Sequence, residues 1–350
     1  MRAEKTGETP KARAALIQAI DVKKHFLVGS SLFQGQRKTV YAVDGVSLEV
    51  YPGETLGLVG ESGCGKSTLG RCLMRLYEIT SGQILLGGQD ISQLDLKALR
   101  PFRREMQMVF QDPYASLNPR RRVGDLIAEP MRVHGTHSQA EIDRRLRQLM
   151  DLVGLEHEHL NRFPHEFSGG QRQRIGVARA LALEPRLIIA DEPVSALDVS
   201  IQAQIVNLFA DLQERLGLTY IFIAHDLSVV RQVSNRVAVM YLGAIVETGP
   251  TEEIFRNPAH PYTEALISAV PVPEVDRGGR RKRIVLAGDV PSPMNPPSGC
   301  RFHPRCRYAT QRCKAERPVL ELAGQGRQVA CHYPLLEGTA VTPESPRPAA

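Results

Sequence analysis

The stretch GLVGESGCGKSTLG, residues 57–70, constrains the fold more than any other part of the chain. Its GxxxxGK[ST] pattern runs from Gly60 to Ser67, after the apolar run TLGLVG and before TLGRCLMRL, whose apolar positions have helical spacing. Strand, glycine loop and helix form the context in which backbone N–H groups and a helix dipole bind phosphate. We therefore predict a nucleotide site that includes Gly60, Glu61, Ser62, Gly63, Cys64, Gly65, Lys66, Ser67 and Thr68.

Within this loop, Lys66 is expected to reach the β- and γ-phosphates, and Ser67 to ligate Mg²⁺. Further along, LIIADEP ends an apolar run with two acids. Asp191 is placed to hold the magnesium shell, and Glu192 to polarise a water aimed at the γ-phosphate. An acidic pair at a strand end can also serve as a helix N-terminal charge, so its meaning depends on the motifs around it.

Apolar strand patterns alternate with helical patterns along the chain. RLIIAD and LTYIFIAHD are typical of buried strands, IQAQIVNLFADLQERLG of an amphipathic helix, and RVAVMYLGAIVETG of a hairpin. The alternation predicts an α/β fold of the P-loop NTPase class with a parallel sheet. A mostly polar, helix-rich stretch covers about 112–180.

A second helix start of the anion-binding kind follows in HEFSGGQRQRIGVARAL. Ser168-Gly169-Gly170-Gln171 precedes an arginine-bearing helix. The chain thus has one phosphate loop but two helix starts of the phosphate-binding kind. The simplest explanation is that the second helix start contacts the nucleotide bound by a partner subunit. Two subunits would then enclose the nucleotide between them.

These motifs together resemble the nucleotide-binding subunit of an ABC transporter over roughly residues 17–270. The order is the phosphate loop, Gln111 in FQDP, the SGGQ signature, the acid pair, the D-loop Ser195-Ala196-Leu197-Asp198, and His225 in IAHD. The resemblance implies a RecA-like core with an antiparallel β subdomain and a helical subdomain at about 112–180. It also implies ATP hydrolysis by Glu192 assisted by His225, with Gln111 contacting Mg²⁺ and sensing the γ-phosphate, in a head-to-tail dimer.

The adenine-stacking residue is less sharply defined by the sequence. The family stacks adenine on an aromatic residue upstream of the loop, and Phe26 in VKKHF fits its usual phrase. Tyr41 is the alternative, and either ring could instead pack in the core.

The chain after residue 256 resembles the C-terminal extension of ATPases from dipeptide and oligopeptide importers. NPAHPYTEALISAVP and PSPMNPPSGCRFHPRC carry this resemblance, which is close to the F-type subunit. It implies a related D-type ATPase, two membrane permeases, an extracytoplasmic peptide-binding protein, and a peripheral position on the cytoplasmic face of the inner membrane. The predicted organisation is a disordered N-terminus (1–16), an ATPase domain (17–270), the extension (271–335) and a disordered tail (336–350).

Four of the six cysteines fall in that extension, spaced C-x5-C-x6-C-x17-C at Cys300, Cys306, Cys313 and Cys331. Four thiolates suit an iron–sulfur cluster or a structural zinc. The arrangement resembles a [4Fe–4S]-binding segment of the family, so we predict that cluster, with Zn²⁺ as the alternative. Because residues 300–335 contain few large apolar side chains, we expect the metal to act as a structural or redox-sensing cross-link.

Composition limits the remaining function classes. No apolar run is long enough to span a membrane, and the N-terminus lacks the apolar core of a secretory signal, which predicts a cytosolic chain. The net charge of +6 is mildly basic, but we expect no nucleic-acid partner. The rival function is a soluble ABC ATPase of iron–sulfur assembly or nucleic-acid work. It accounts for the cysteines and the charge but not for NPAHPYT, and the residues do not name a cargo.

Overall fold

The computed structural model describes most of the chain, in the ranges 14–29, 37–112, 116–135, 138–270 and 283–336. The predicted disordered termini fall largely outside these ranges, at residues 1–13 and 337–350. The beginning of the predicted extension, 271–282, and residues 113–115 of the stretch after Gln111 also lie outside them.

The described residues contain twelve strands in two sheets. They are β1 Ile17–Val28, β2 Lys38–Val50, β3 Thr55–Val59, β4 Ser81–Leu86, β5 Gln89–Asp90, β6 Met106–Val109, β7 Leu187–Asp191, β8 Thr219–Ile223, β9 Arg236–Tyr241, β10 Ala244–Pro250, β11 Glu321–Leu322 and β12 Gln328–Val329.

Eleven α-helices lie in the same ranges, with short 3₁₀ turns between some of them. They are α1 Lys66–Leu73, α2 Leu96–Leu99, α3 Phe102–Glu105, α4 Val123–His134, α5 Gln139–Val153, α6 Gly169–Leu181, α7 Val199–Leu216, α8 Leu227–Val233, α9 Thr251–Arg256, α10 Pro261–Ser268 and α11 Gln311–Ala315. None of these helices combines the length and apolar content that crossing a bilayer requires.

The larger sheet has the order β11-β12-β10-β9-β3-β8-β7-β6. Strands β9, β3, β8, β7 and β6 are parallel neighbours. Every residue of β3, β7 and β8 is buried, as expected for central strands covered on both faces. The predicted hairpin is confirmed, since β9 and β10 pair antiparallel from Ala244 opposite Tyr241.

The smaller sheet is antiparallel, with the order β2-β1-β4-β5. Its inward side chains, among them Val22, Val43 and Ile84, join one core with α1 and the adjacent face of the parallel sheet. The predicted α/β P-loop fold with an antiparallel β subdomain is therefore what the chain adopts.

Helices α4, α5 and α6, which lie between β6 and β7 in the sequence, pack against one another. Helix α5 begins at a capping box in which Ser138 and Glu141 satisfy each other's backbone N–H groups. It ends at Gly154, whose left-handed φ of 66° closes the last turn. Its apolar stripe, which includes Ile142 and Leu149, contributes to the second core of the molecule.

The C-terminal residues join the large sheet. Strand β12 pairs antiparallel with β10, with Val329 opposite Glu247, and β11 pairs with β12. Phe302 is buried, and its ring centroid lies 5.3 Å from that of Tyr241 and 5.4 Å from that of Tyr262. Strand pairing and this aromatic cluster anchor a segment for which we expected a metal cross-link to be needed, because its few large side chains are placed at the junction with the core.

Candidate nucleotide site

The predicted site residues gather at one edge of the large sheet. The phosphate loop follows β3, Gln111 follows β6, Asp191 ends β7 and His225 follows β8. These four strands are parallel, so their carboxyl ends meet at the same edge. Open parallel sheets bind their ligands in the crevice outside that edge.

Two glycines of the loop have conformations that only glycine adopts easily. Gly60 has φ 151° and Gly65 has φ 108°. A Cβ on Gly65 would overlap the carbonyl oxygen of Ala42, and one on Gly60 would overlap that of Met240. The loop therefore lies directly against the backbones of β2 and β9, and its path requires glycine at these positions.

Lys66, the first residue of α1, is almost fully buried at 4% exposure. Its Nζ donates to the carbonyl oxygens of Gly60, at 2.8 Å, and Glu61, at 3.1 Å. The ammonium group is thus held inside the curve of the loop. No side chain among the described residues caps α1, so the positive end of the helix dipole adds to this charge.

Asp191 and Ser67 form the second part of the site. The hydroxyl of Ser67 donates to Asp191 Oδ1 at 2.6 Å, and Asp191 is 1% exposed. Burial raises the pKa of this carboxyl, while the Ser67 hydrogen bond and the nearby Arg71 act in the opposite direction. Asp191 Oδ2 has no hydrogen-bond partner in the described part of the chain, although Arg71 Nη2 lies 3.9 Å away. A buried carboxylate oxygen left over beside a hydroxyl fits Mg²⁺, which prefers oxygen ligands.

Glu192, which the sequence predicts to be the base, directly follows β7. Its Oε2 accepts a hydrogen bond from Gln111 Nε2 at 2.9 Å and lies 3.2 Å from His225 Nδ1. Its backbone has φ 47°, the left-handed region, and its N–H donates to the carbonyl of Ile223 at the end of β8. The structure therefore brings Gln111 and His225, which were predicted separately, to the carboxylate of Glu192. The Glu192 backbone conformation is uncommon for glutamate.

The signature residues lie at the start of α6. Ser168 caps this helix, with its hydroxyl accepting from the Gln171 N–H and the Gln171 side chain accepting from the Ser168 N–H. A Cβ on Gly169 would lie 3.2 Å from Leu197, and one on Gly170 would lie 2.5 Å from Ile201. The signature thus packs against the D-loop and α7.

The D-loop connects this surface to the acid pair. The hydroxyl of Ser195 donates to the carbonyl oxygen of Glu192 at 3.1 Å. Ala196 and Asp198 are exposed, while Leu197 is half-buried. The signature and the D-loop therefore form one continuous surface, which is connected to the Glu192 backbone through Ser195.

Both candidate adenine-stacking rings have ring partners within the chain. Phe26 lies edge-on to Tyr77 with 5.6 Å between centroids, and Lys24 Nζ lies 4.8 Å from the centre of its ring. Tyr41 lies edge-on to His25 at 4.7 Å. The assignment of either ring to adenine stays a prediction.

The four C-terminal cysteines line one small pocket with His303 and Tyr333, but they reach it from separate stretches of the extension. Burial raises the pKa of Cys306 and of Cys331 to about 12, and also raises that of Cys300. In the ranges the structure describes, no three potential ligand side chains are grouped closely enough to hold a metal ion. The predicted [4Fe–4S] cluster and its zinc alternative are therefore not supported by this arrangement.

Sequence reasoning missed three residues near the loop. Arg71 lies one helical turn after Ser67, and Tyr262 and Arg305 contact Glu61 from the C-terminal part of the chain. Tyr262 belongs to NPAHPYTEAL and Arg305 to CRFHPRC, stretches that were used only for their family resemblance. Their contacts with the loop leave no local signal in the sequence.

The sheet edge, the phosphate loop and the held glutamate define a P-loop nucleoside triphosphatase. The family model described as "ABC transporter" matches residues 43–195, and the model "Oligopeptide/dipeptide transporter, C-terminal region" matches residues 246–313. The chain belongs to the ABC transporter ATP-binding proteins that carry this C-terminal region, and it is an ATP-hydrolysing subunit.

Known proteins agree with this assignment over nearly the whole chain. The Oligopeptide transport ATP-binding protein AppF of Bacillus subtilis is 54% identical over 93% of this chain and 99% of its own length. The Dipeptide transport ATP-binding protein DppF of Escherichia coli is 51% identical over 90% of this chain and 93% of its own length. A solved dimeric ATP-binding cassette in a post-hydrolysis state, bound to ADP and Pi, is 29% identical with a TM-score of 0.60, covering 67% of this chain and 98% of that one.

Proposed function

We propose that this chain hydrolyses ATP to drive the import of dipeptides or oligopeptides through separate membrane subunits. One observation carries the proposal: the C-terminal region characteristic of oligopeptide and dipeptide transporters is continuous with a complete set of ATPase residues. The relatives named for oligopeptide and dipeptide transport cover almost the full chain, so the likeness is not confined to the ATPase motifs.

In the proposed reaction, the phosphate loop and Lys66 hold the β- and γ-phosphates of ATP. Ser67, Asp191 and Gln111 would supply oxygen ligands for Mg²⁺, which would neutralise charge on the phosphates when bound. Glu192 accepts a proton from the attacking water, and its carboxylate is oriented by Gln111 and His225. His225 assists by holding Glu192 in reach of the γ-phosphate.

The complete site is proposed to need a second ATPase subunit. Ser168 to Gln171 and the D-loop lie together on the surface, and no hydrogen bond among the described residues joins the signature to the phosphate loop. A head-to-tail pair would place each signature against the partner's nucleotide. The solved cassette, which is dimeric and bound to ADP and Pi, supports a site that needs two subunits.

The proposed partners follow from the same family. They are a related D-type ATPase, two membrane permeases and, through the complex, an extracytoplasmic peptide-binding protein. The chain would then lie peripherally on the cytoplasmic face of the inner membrane. Purification of the tagged chain from solubilised membranes should recover the permeases.

Uptake of labelled dipeptides and tripeptides tests the proposed cargo. Cells lacking this chain should regain uptake with the native chain but not with Glu192→Gln, while Glu252→Gln, on the surface and paired with Arg231, should behave as native. Retained peptide uptake in the deleted strain, together with loss of iron–sulfur enzyme activities, would instead favour the rival function in cluster assembly.

For the four cysteines we infer a [4Fe–4S] site, with Zn²⁺ as the alternative. Their number and their spacing support the inference, since either centre accepts four thiolates, although the described residues do not group three ligand side chains closely enough to hold a metal ion. When bound, the centre would cross-link the extension. The chain's own contribution is to bring the thiols to one pocket beside the aromatic ring of Phe302.

Metal analysis after anaerobic purification tests the inference. We expect about four iron atoms per chain and visible absorption, both lost in Cys306→Ser but kept in Cys72→Ser, whose thiol lies on α1 and is buried in the core. A colourless chain with one zinc would show the alternative, and a metal-free chain would contradict both.

A further inference from the structure

Glu61, the second residue of the phosphate loop, has each of its polar groups engaged. Its carbonyl oxygen accepts from Lys66 Nζ, as described above. Its N–H group and its carboxylate are both bound by residues of the C-terminal part of the chain. The nucleotide loop and the C-terminal region are therefore in direct contact at one residue.

Arg305 holds the carboxylate. Its Nη1 donates to Glu61 Oε2 at 2.7 Å and its Nη2 donates to Glu61 Oε1 at 3.1 Å. The Arg305 side chain is buried at 8% exposure and that of Glu61 is 25% exposed, so the pair is partly shielded from solvent. A two-point, shielded pair of this geometry fixes orientation as well as distance.

Tyr262 holds the backbone of the same residue. The hydroxyl oxygen of Tyr262, which is fully buried on α10, accepts a hydrogen bond from the Glu61 N–H at 2.8 Å. The Tyr262 and Tyr241 rings pack at 4.7 Å, and Arg305 lies 6.0 Å from the Tyr241 ring. The two contacts with Glu61 thus come from one packed cluster.

Arg301 provides a second link between the extension and the loop. Its guanidinium donates to the carbonyl of Leu242 and to the carboxylate of Asp44. Gly243, which follows Leu242 in the chain, donates its N–H to the carbonyl of Cys64 at 2.8 Å. The extension therefore supports the loop at both Glu61 and Cys64.

From these contacts we propose that Arg305 and Tyr262 are positioning residues for ATP binding: the C-terminal region holds the phosphate loop in its binding conformation through Glu61. Neither residue reaches the predicted reacting groups at Asp191, Glu192 or His225 in the structure. They raise the fraction of molecules whose phosphate loop has the conformation that binds ATP. When this fraction falls, the apparent affinity for ATP falls in proportion.

This mechanism predicts that loss of the contact changes the KM for ATP and not the kcat. Arg305→Gln should raise the KM for ATP by about tenfold, because a shielded, charge-assisted hydrogen-bonded pair is lost. The kcat should change by less than about twofold, because Glu192 and its partners are untouched once ATP is bound. Arg305→Lys, which keeps the charge but not the fork, should restore part of the affinity.

The chain offers a matched control in Arg307. Its Nη2 donates to both carboxylate oxygens of Glu264, at 2.9 and 3.0 Å, so it forms a more exposed arginine–glutamate pair on α10 instead of on the loop. Arg307→Gln should therefore keep the native KM. Glu61→Gln should raise KM like Arg305→Gln, and the double variant should be no worse than either single variant, because both remove one interaction.

The test uses steady-state ATP hydrolysis by the assembled transporter and direct binding of labelled ATP to the full-length chain. Thermal melting of each variant separates loss of folding from loss of affinity. A KM for Arg305→Gln equal to that of Arg307→Gln, or additive effects of Arg305→Gln and Glu61→Gln, would overturn the proposal. If Arg305→Gln does not fold, Glu61→Gln and Tyr262→Phe carry the same comparison, and native KM values in both would overturn it.

Discussion

Glu192 is held in a backbone conformation that glutamate rarely adopts. The cost of φ 47° is offset by hydrogen bonds from its N–H to Ile223 and from Ser195 to its carbonyl oxygen. Its carboxylate is oriented by Gln111 and His225. Backbone strain of this kind clusters at functional sites, which fits the role of base that we propose for Glu192.

The first residue-scale prediction concerns this carboxylate. Glu192→Gln keeps the shape of the side chain but removes the proton acceptor, so kcat for ATP should fall by at least about 100-fold. ATP binding should be retained, because the phosphate loop is unchanged. Single-turnover hydrolysis and ATP binding should be measured together; native turnover in this variant would show that another group is the base.

The second concerns pH and His260. The ring is buried, its Nδ1 accepts the Tyr262 N–H, and burial lowers its pKa from 6.5 to about 3. Between these values the unfolded chain binds a proton that the folded chain does not. The free energy of unfolding should therefore fall with pH from about 6.5 downward, by about 1.4 kcal/mol per pH unit from this group.

His260→Asn isolates the contribution of His260, since asparagine can still cap α10 without titrating. Urea unfolding at several pH values between 4 and 7.5 should show a flatter pH dependence in the variant. Burial raises the pKa of the neighbouring Glu247, which gives a dependence of opposite sign in both proteins. Equal slopes would mean that His260 is not buried as a neutral ring.

At the scale of elements, two helices begin with the same device. Helices α5 and α6 both start at a serine that forms a capping box, Ser138 with Glu141 and Ser168 with Gln171. The first helix start is exposed and contacts no predicted site residue, whereas the second carries the signature. A comparison of Ser138 with Ser168 therefore separates the contribution of the cap to helix stability from the role in ATP hydrolysis that we propose for the signature.

We predict that Ser138→Ala and Ser168→Ala each lower the free energy of unfolding by about 1 kcal/mol, through loss of the cap. Only Ser168→Ala should also slow ATP hydrolysis by the assembled transporter, because only this serine is expected to face the partner's nucleotide. Denaturant unfolding and ATPase rates on both variants provide the comparison. Equal ATPase rates would contradict the role given to the signature.

Local pattern explains which elements could be predicted. Strands β3, β7 and β8 are short, mostly apolar and fully buried. The glycine loop directly follows β3 and the acid pair begins at the last residue of β7, so short stretches of sequence predict the sheet edge. The contact between Arg305 and Glu61 joins residues 244 positions apart, and no periodicity or spacing encodes such a pairing. The anchoring of the extension by β12 and Phe302 was missed for the same reason.

At the scale of the whole molecule, the predicted site residues fall into two surfaces. One holds the phosphate loop, Asp191 and Glu192; the other holds the signature and the exposed part of the D-loop. The C-terminal region contacts the first surface through Arg305, which binds Glu61, and through Arg301, which binds the Leu242 carbonyl next to the loop. A chain built in this way is expected to hydrolyse ATP only when a partner supplies the second surface.

The most direct test of this account is the ATPase rate per chain, measured over a dilution series of the purified ATPase subunits. If two subunits must form each site, the rate per chain falls on dilution as pairs dissociate, and Ser168→Arg in this chain lowers the rate even at high concentration. A rate per chain that is independent of concentration and unchanged by Ser168→Arg would contradict it.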